Sequence, residues 1–203
     1  MHTRVACNKE LHGKSFVHFW ESDSPFCNFH PSPFKAKLSN GTKHNFSCSE
    51  QYFMAEKALL INDQKSCESI LKADQPMKMK LIGRQLKMDK HDLERWLTVG
   101  VIAMKNACYE KFAQNKELRL ALFRTKNMEL VETSLCDKIW GIGIETDDLK
   151  ADDKNNWKGA NKLGIVLDIV RDELMNRSEF KKDVRKIEKE SMTERIEKLE
   201  NYR

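Results

Sequence analysis

The sequence predicts a mainly helical α+β fold, a compact multi-helix domain with a small antiparallel β-sheet near its N-terminal end. Three observations predict it. Residues 15–20 (SFVHFW) alternate polar and apolar side chains at the two-residue period of a strand. An Asn40-Gly41 pair separates two short runs, residues 34–38 and 43–47, as in a hairpin. After Ser47 the apolar spacing changes to three and four residues and keeps that helical period over most of the chain.

In chain order, the first strand places Phe16 and His18 on one face and Val17 and Phe19 on the other. Residues 23–33 hold three of the four prolines and read as turns. The Asn-Gly pair of the hairpin suits the positive φ angles of a type I′ turn. Tyr52, Phe53, Ala55, Leu59 and Leu60 mark the first helix. Further helices are expected over 66–73, 77–87, 89–114 and 116–123, the third with Asp89 and Asp92 at its start, where carboxylates are favoured. Residues 140–143 form a turn, 145–156 an acidic loop and 159–175 a last amphipathic helix. The predicted organisation is a flexible N-terminus over 1–14, one domain over 15–176 and a charged helical tail over 177–203. That tail carries nine basic and seven acidic side chains with sparse apolar positions, the pattern of a solvated helix or a weak coiled-coil seam. Weak self-association through it is expected.

Length and composition limit the function classes. A chain of 203 residues with 40% hydrophobic side chains can bury one sizeable core. The net charge of +5 is spread out, so it permits an anionic or nucleic-acid ligand without demanding one. No run approaches the roughly 18 apolar residues of a membrane span, and the polar N-terminus lacks a signal-peptide core. The six cysteines lie far apart with no CxxC pair, so neither a metal knuckle nor a disulfide framework is expected. The reading is a cytoplasmic or nuclear protein with reduced thiols and no metal or other cofactor.

Five constellations carry candidate chemistry, each beside a plainer reading. Glu50 and Lys57, seven positions apart, share one stripe of the first helix with Phe53 and Met54, and burying such charges is costly unless they are used or paired. Ser47 and Glu50 also fit the S-x-x-E capping box, and by local pattern alone the cap is favoured. Pro25-Phe26-Cys27-Asn28-Phe29, after Phe19-Trp20, could present an amide between stacking rings, or simply anchor a turn. Gly83-Arg84 could grip phosphate, although a surface ion pair is the commoner use of an arginine. Asp137, three residues before Trp140 on the glycine-rich turn Trp140-Gly141-Ile142-Gly143, could place an acid beside a stacking platform or cap that turn. The segment 157–164, with Gly159, Asn161 and Gly164, looks superficially like a dinucleotide fingerprint but follows no strand. Phosphate binding at a helix start is the residual possibility.

Taken in order, these segments resemble the NADAR family, also described as YbiA-like. The matching elements are FW (Phe19, Trp20), PFxNF (25–29), SEQYFMAEKA (49–58), GR (Gly83, Arg84), the Trp96 region, KFxQNxxLRxxLxxT (111–125), LVExSxxDxxWGIG (130–143) and WxGxNxLGxxLxxVR (157–171). They cover about residues 16–174. Two positions depart from the pattern: Cys27 stands where the family often has Ser, and Gln51 where it often has His.

The resemblance implies a YbiA-like fold and an N-glycosidase. The substrate would be a base joined to a ribose phosphate or ADP-ribose, either a ribosylamino-pyrimidine phosphate of riboflavin synthesis or an ADP-ribosyl-guanine, and ADP-ribosylated nucleic acid is among the implied partners. Glu50, Lys57 and Asp137 are the implied catalytic residues. Trp20, Phe26, Asn28, Phe29, Tyr52, Arg84, Trp96, Trp140, Gly141, Gly143 and Asn161 are the implied substrate contacts. Glu50 would stabilise positive charge at C1′ and orient water. Lys57 would hold a phosphate or hydroxyl as an ammonium, or attack C1′ as a neutral amine. The competing reading is a non-catalytic ADP-ribose- or nucleotide-binding module.

Overall fold

The computed structural model describes residues 2–7 and 15–202. The chain divides into two units, Met1–Cys27 with Lys116–Arg203, and Asn28–Asn115.

The first unit is built on a three-stranded sheet of order β1-β2-β5: β1 (Thr3–Cys7), β2 (Ser15–Phe19) and β5 (Met128–Glu132). β1 runs antiparallel to β2, pairing Val5 with Val17, and β5 runs parallel to it, pairing Val17 with Leu130. Two expectations are corrected here. Residues 3–7 form a strand where a flexible N-terminus was expected, although residues 8–14 lie outside the described residues. The sheet is mixed, because a parallel partner arrives from more than a hundred residues away and needs no hairpin turn to announce it. As the central strand, β2 is covered on both faces: Phe16, Val17, His18 and Phe19 are all buried.

His18 shows how that burial acts on a titratable group. Its Nε2 lies 3.3 Å from the Ala151 carbonyl and 3.5 Å from Asp152 Oδ1, and Asp152 is itself held by Arg4. Burial, assisted by the Arg4 charge, pulls the imidazole from 6.5 down to about 4, against the Ala151 carbonyl and Asp152. As pH falls from about 6.5 to about 4, the unfolded chain takes up a proton that the folded chain refuses. Stability from this group is therefore present above pH 6.5 and is lost through that window. Thermal melts of His18→Gln are expected to fall less steeply between pH 6.5 and 4 than those of the parent. Equal slopes would refute the assignment. Asp168, which burial raises to about 7 despite its 2.7 Å ion pair with Arg171, works in the opposite sense in both proteins and cancels in the comparison.

α5 (Lys116–Arg124) precedes β5, and α6 (Lys162–Met175) packs on it. The acidic segment between β5 and α6 contains two 3-10 turns, and Trp157 closes a cluster of Phe16, Val131, Ile142, Ile144 and Ala151. α6 begins at Lys162 rather than Gly159, since Asn161 precedes it with φ of 49°.

The charged C-terminal segment is helical, as α7 (Lys181–Glu188) and α8 (Met192–Glu200), but it is not a solvated tail. Ile187 and Leu199 are buried against the unit, and Glu200 accepts from the Val5 N–H. Arg119 pairs with Asp183 at 2.8 Å and Arg124 with Glu190 at 2.9 Å. The Arg195 guanidinium donates to the Arg124 and Lys126 carbonyls, satisfying acceptors left open at the end of α5. Many of the charges that suggested solvation are the docking contacts.

The second unit pairs β3 (Phe34–Lys37) with β4 (Lys43–Phe46) and follows them with four helices: α1 (Ser49–Leu60), α2 (Gln64–Lys72), α3 (Pro76–Gln85) and α4 (Lys90–Gln114). The hairpin tip differs from the expected type I′ turn. Only Gly41 has positive φ, and its N–H donates to the Leu38 carbonyl while Leu38 N–H donates to Thr42. This is a three-residue loop with a glycine bulge. The start of α4 matches the sequence reading, with Asp89 and Asp92 forming a reciprocal capping box. Phe46, Tyr52, Phe53, Ile70, Met79, Met104 and Phe112 fill the core of this unit.

Candidate active site

The charges singled out by sequence lie on α1, and the way that helix begins decides what Glu50 is available to do. The residue preceding α1 is Cys48, not Ser47, and it makes no side-chain capping bond. The Ser47 N–H donates instead to Gln51 Oε1 at 2.8 Å, and the Gln51 amide nitrogen donates to the carbonyls of Ile70, Leu71 and Ala73. Gln51 thus ties the start of α1 to the end of α2. The S-x-x-E cap is corrected: the back-bond belongs to Gln51, and the Glu50 carboxylate is relieved of it. A neutral amide suits this place because it accepts and donates at once.

Glu50 is 4% exposed, and its N–H donates to the Asn28 carbonyl at 3.1 Å. Two polar atoms close to it in the chain or through that bond, Asn28 Oδ1 and Ser49 Oγ, are buried with no hydrogen-bond partner among the described residues. Leaving such atoms unpaired typically costs about 1–3 kcal/mol each, an expense that functional sites bear more often than cores do. Asn28 was expected from sequence. Ser49 was missed, though it stands directly before the candidate carboxylate.

Two turns along α1, Lys57 is half-buried and donates to the Gly83 carbonyl at 2.9 Å. Burial holds its ammonium below the ordinary lysine range; the Glu50 charge opposes that shift and the Arg84 charge adds to it. Lys57 therefore lies within electrostatic reach of both Glu50 and Arg84, with Arg84 exposed at the last turn of α3. Gly83 allows this approach, since a Cβ there would collide with the Met54 side chain. Trp96 joins the same stripe through Phe53, their rings 4.9 Å apart, and keeps part of its surface open. Gly100 leaves room for that indole. Phe29 is partly exposed, with the Lys80 ammonium 5.5 Å from its ring centre. Tyr52 is placed elsewhere: it points to the other face of α1, where its hydroxyl donates to the Lys37 carbonyl at 3.3 Å and burial raises its pKa.

The remaining candidates belong to the first unit, and several are structural. Phe26 is fully buried edge-on against Phe19, so its ring has no face for a base. Trp20 is 40% exposed. Asp137 Oδ1 accepts from the N–H groups of Ile139 and Trp140, which is the turn-capping alternative. Asn161 spends both ends of its amide on the edge of β5, donating to the Leu130 carbonyl and accepting from the Glu132 N–H. Gly141 and Gly159 allow close backbone approach: a Cβ on Gly141 would lie 2.8 Å from the Glu132 carbonyl, and one on Gly159 2.8 Å from the Lys138 carbonyl. Gly143 has φ of +70°. The glycines of 157–164 thus serve packing, and the phosphate reading of that segment is withdrawn. Asp89, His91 and Asp92 form a further carboxylate and imidazole cluster, but two of them make the α4 cap.

Residues 15–175 match the NADAR domain. The chain is 47% identical to "Protein irg-1" of Caenorhabditis elegans, over 100% of this chain and 99% of that protein. It is 34% identical to "N-glycosidase R617" of Acanthamoeba polyphaga mimivirus, over 73% of this chain and 86% of that one. The solved structure of the Escherichia coli protein YbiA is similar with a TM-score of 0.60 and 30% identity, covering 78% of this chain and 84% of YbiA. Its α+β architecture agrees with the fold described above.

Proposed function

This chain belongs to the NADAR family, and from that premise we propose that it is an N-glycosidase cleaving the bond between a base and a ribose phosphate or ADP-ribose. The name N-glycosidase borne by the mimivirus relative supports the reaction class. The observation that carries the assignment to this chain is the release of Glu50 from capping: a buried carboxylate is held at a helix start whose structural bond Gln51 makes instead.

Cleavage breaks the C1′–N bond, and positive charge develops on C1′ and the ring oxygen. A carboxylate in a poorly hydrated site stabilises that charge strongly, and it can take the proton of the water whose oxygen bonds to C1′. The electron pair of the broken bond leaves with the base. In this scheme the Lys57 ammonium and the Arg84 guanidinium bind phosphate or sugar oxygens, and Trp96 supplies an apolar wall worth about 1 kcal/mol per contact. No step calls for a metal.

One observation favours a second route for Lys57. Burial and Arg84 both favour its neutral amine, the form that would attack C1′ and pass through a Schiff base. Borohydride added during turnover decides between the routes. The ammonium role predicts no protein–sugar adduct, whereas a reduced adduct on Lys57 would establish the covalent one. Substrate class is tested by incubation with ADP-ribosyl-guanine DNA and with ribosylaminouracil phosphate, reading products by mass spectrometry. Release of free base or ribose phosphate from either supports the proposal, and turnover of neither overturns it.

A further inference from the structure

On the face of α1 turned away from Glu50, a groove of about 350 Å³ lies between the hairpin tip and α4. Its polar side holds Lys37, Ser39, Tyr52, Glu56 and Asn106, and its apolar side holds Leu38, Val99 and Ile102. Glu56 is 6% exposed. One of its oxygens accepts from the Ser39 N–H at 2.9 Å, while Tyr52, one turn before it, gives its hydroxyl proton to the Lys37 carbonyl. No Lys, Arg or His side chain pairs with Glu56 among the described residues. A buried carboxylate with only neutral donors is incompletely compensated, because removing its charge from water favours an opposite charge nearby. The groove supplies a route by which one can arrive.

The surrounding atoms define what that charge must look like. The Glu56 carboxylate accepts one N–H from the chain, which leaves acceptor positions on its two oxygens for the N–H groups of a primary ammonium. Ile102 is 56% exposed at the rim, and with Val99 it offers an apolar strip one helical turn long. An aliphatic stem lies well along such a strip while its charged end is held at the polar side. The volume is within the range of small-molecule sites. We propose that this groove binds a small aliphatic amine, its ammonium on Glu56 and its methylene chain along Val99 and Ile102. The site is separate from the residues assigned to glycoside cleavage and does not rest on that reading.

Calorimetric titration of the full chain with 1-aminobutane and 1,4-diaminobutane, against 1-butanol at matched ionic strength, tests the proposal. Saturable binding of the amines and none of the alcohol is expected. Glu56→Gln keeps an oxygen for the Ser39 N–H, so the hairpin stays anchored, and it should lose at least about tenfold in amine affinity. Ile102→Lys alters an exposed position and places a tethered ammonium at the rim; it should weaken amine binding by a similar factor. Absence of saturable amine binding, equal binding by butanol, or unchanged affinity in Glu56→Gln overturns the proposal. Circular dichroism confirms that both variants remain folded.

Discussion

Glu50→Gln is expected to lose about a thousandfold or more in single-turnover glycosidase rate, equivalent to roughly 4 kcal/mol of transition-state stabilisation, while melting close to the parent. The substitution keeps size and shape and removes only the charge. Glu50 is buried at the start of α1, so little water competes with that charge. The back-bond from the Ser47 N–H at the helix start goes to Gln51 and not to Glu50. A structural role predicts the reverse pattern, a lowered melting temperature with turnover intact. That outcome would remove Glu50 from the mechanism. Rate and melting curve must be measured on the same preparation, since a partly unfolded variant would imitate a catalytic loss.

Gly164→Ala is the most damaging small substitution expected in the first unit, costing on the order of 3 kcal/mol or more. The first turn of α6 lies so close to β5 that a Cβ on Gly164 would overlap the Leu130 carbonyl, and it would stand 2.5 Å from the Asn161 amide nitrogen. Neither neighbour can move cheaply. Leu130 is paired with Val17 in the sheet, and Asn161 is the clamp that closes the β5 edge. Relief requires shifting α6 away from its buried face of Leu163, Leu167, Val170 and Leu174. Urea denaturation gives the measurement, and a midpoint shift worth less than about 0.5 kcal/mol would refute the argument. Glycine is needed here for space, which is why the resemblance of 157–164 to a phosphate loop was misleading.

Much of the helical unit was legible before folding. The period change after Ser47 located α1, the Asp89 and Asp92 pair marked the start of α4, and Asn-Gly located the hairpin. Those signals are local, acting within one or two turns of chain. β5 was missed because its pairing is parallel and distant, and β1 because its five residues, Thr-Arg-Val-Ala-Cys, show no alternation or turn signal of their own. The docked α7 and α8 were read as a solvated tail because charge pattern cannot tell a solvated arginine from one that pairs with Asp183, Glu190 or the end of α5.

The sequence by itself determined the family and the stripe that puts Glu50 and Lys57 on one side of α1, since a seven-residue separation in a helix leaves no other choice. Tertiary structure alone decided which side chains were committed elsewhere. Gln51, Asn161 and Asp137 are all short polar residues suited to a ligand, yet each is spent on backbone groups that would otherwise lack partners. Buried backbone groups must be satisfied before any side chain is available for chemistry, and their partners are fixed by contacts between distant parts of the chain.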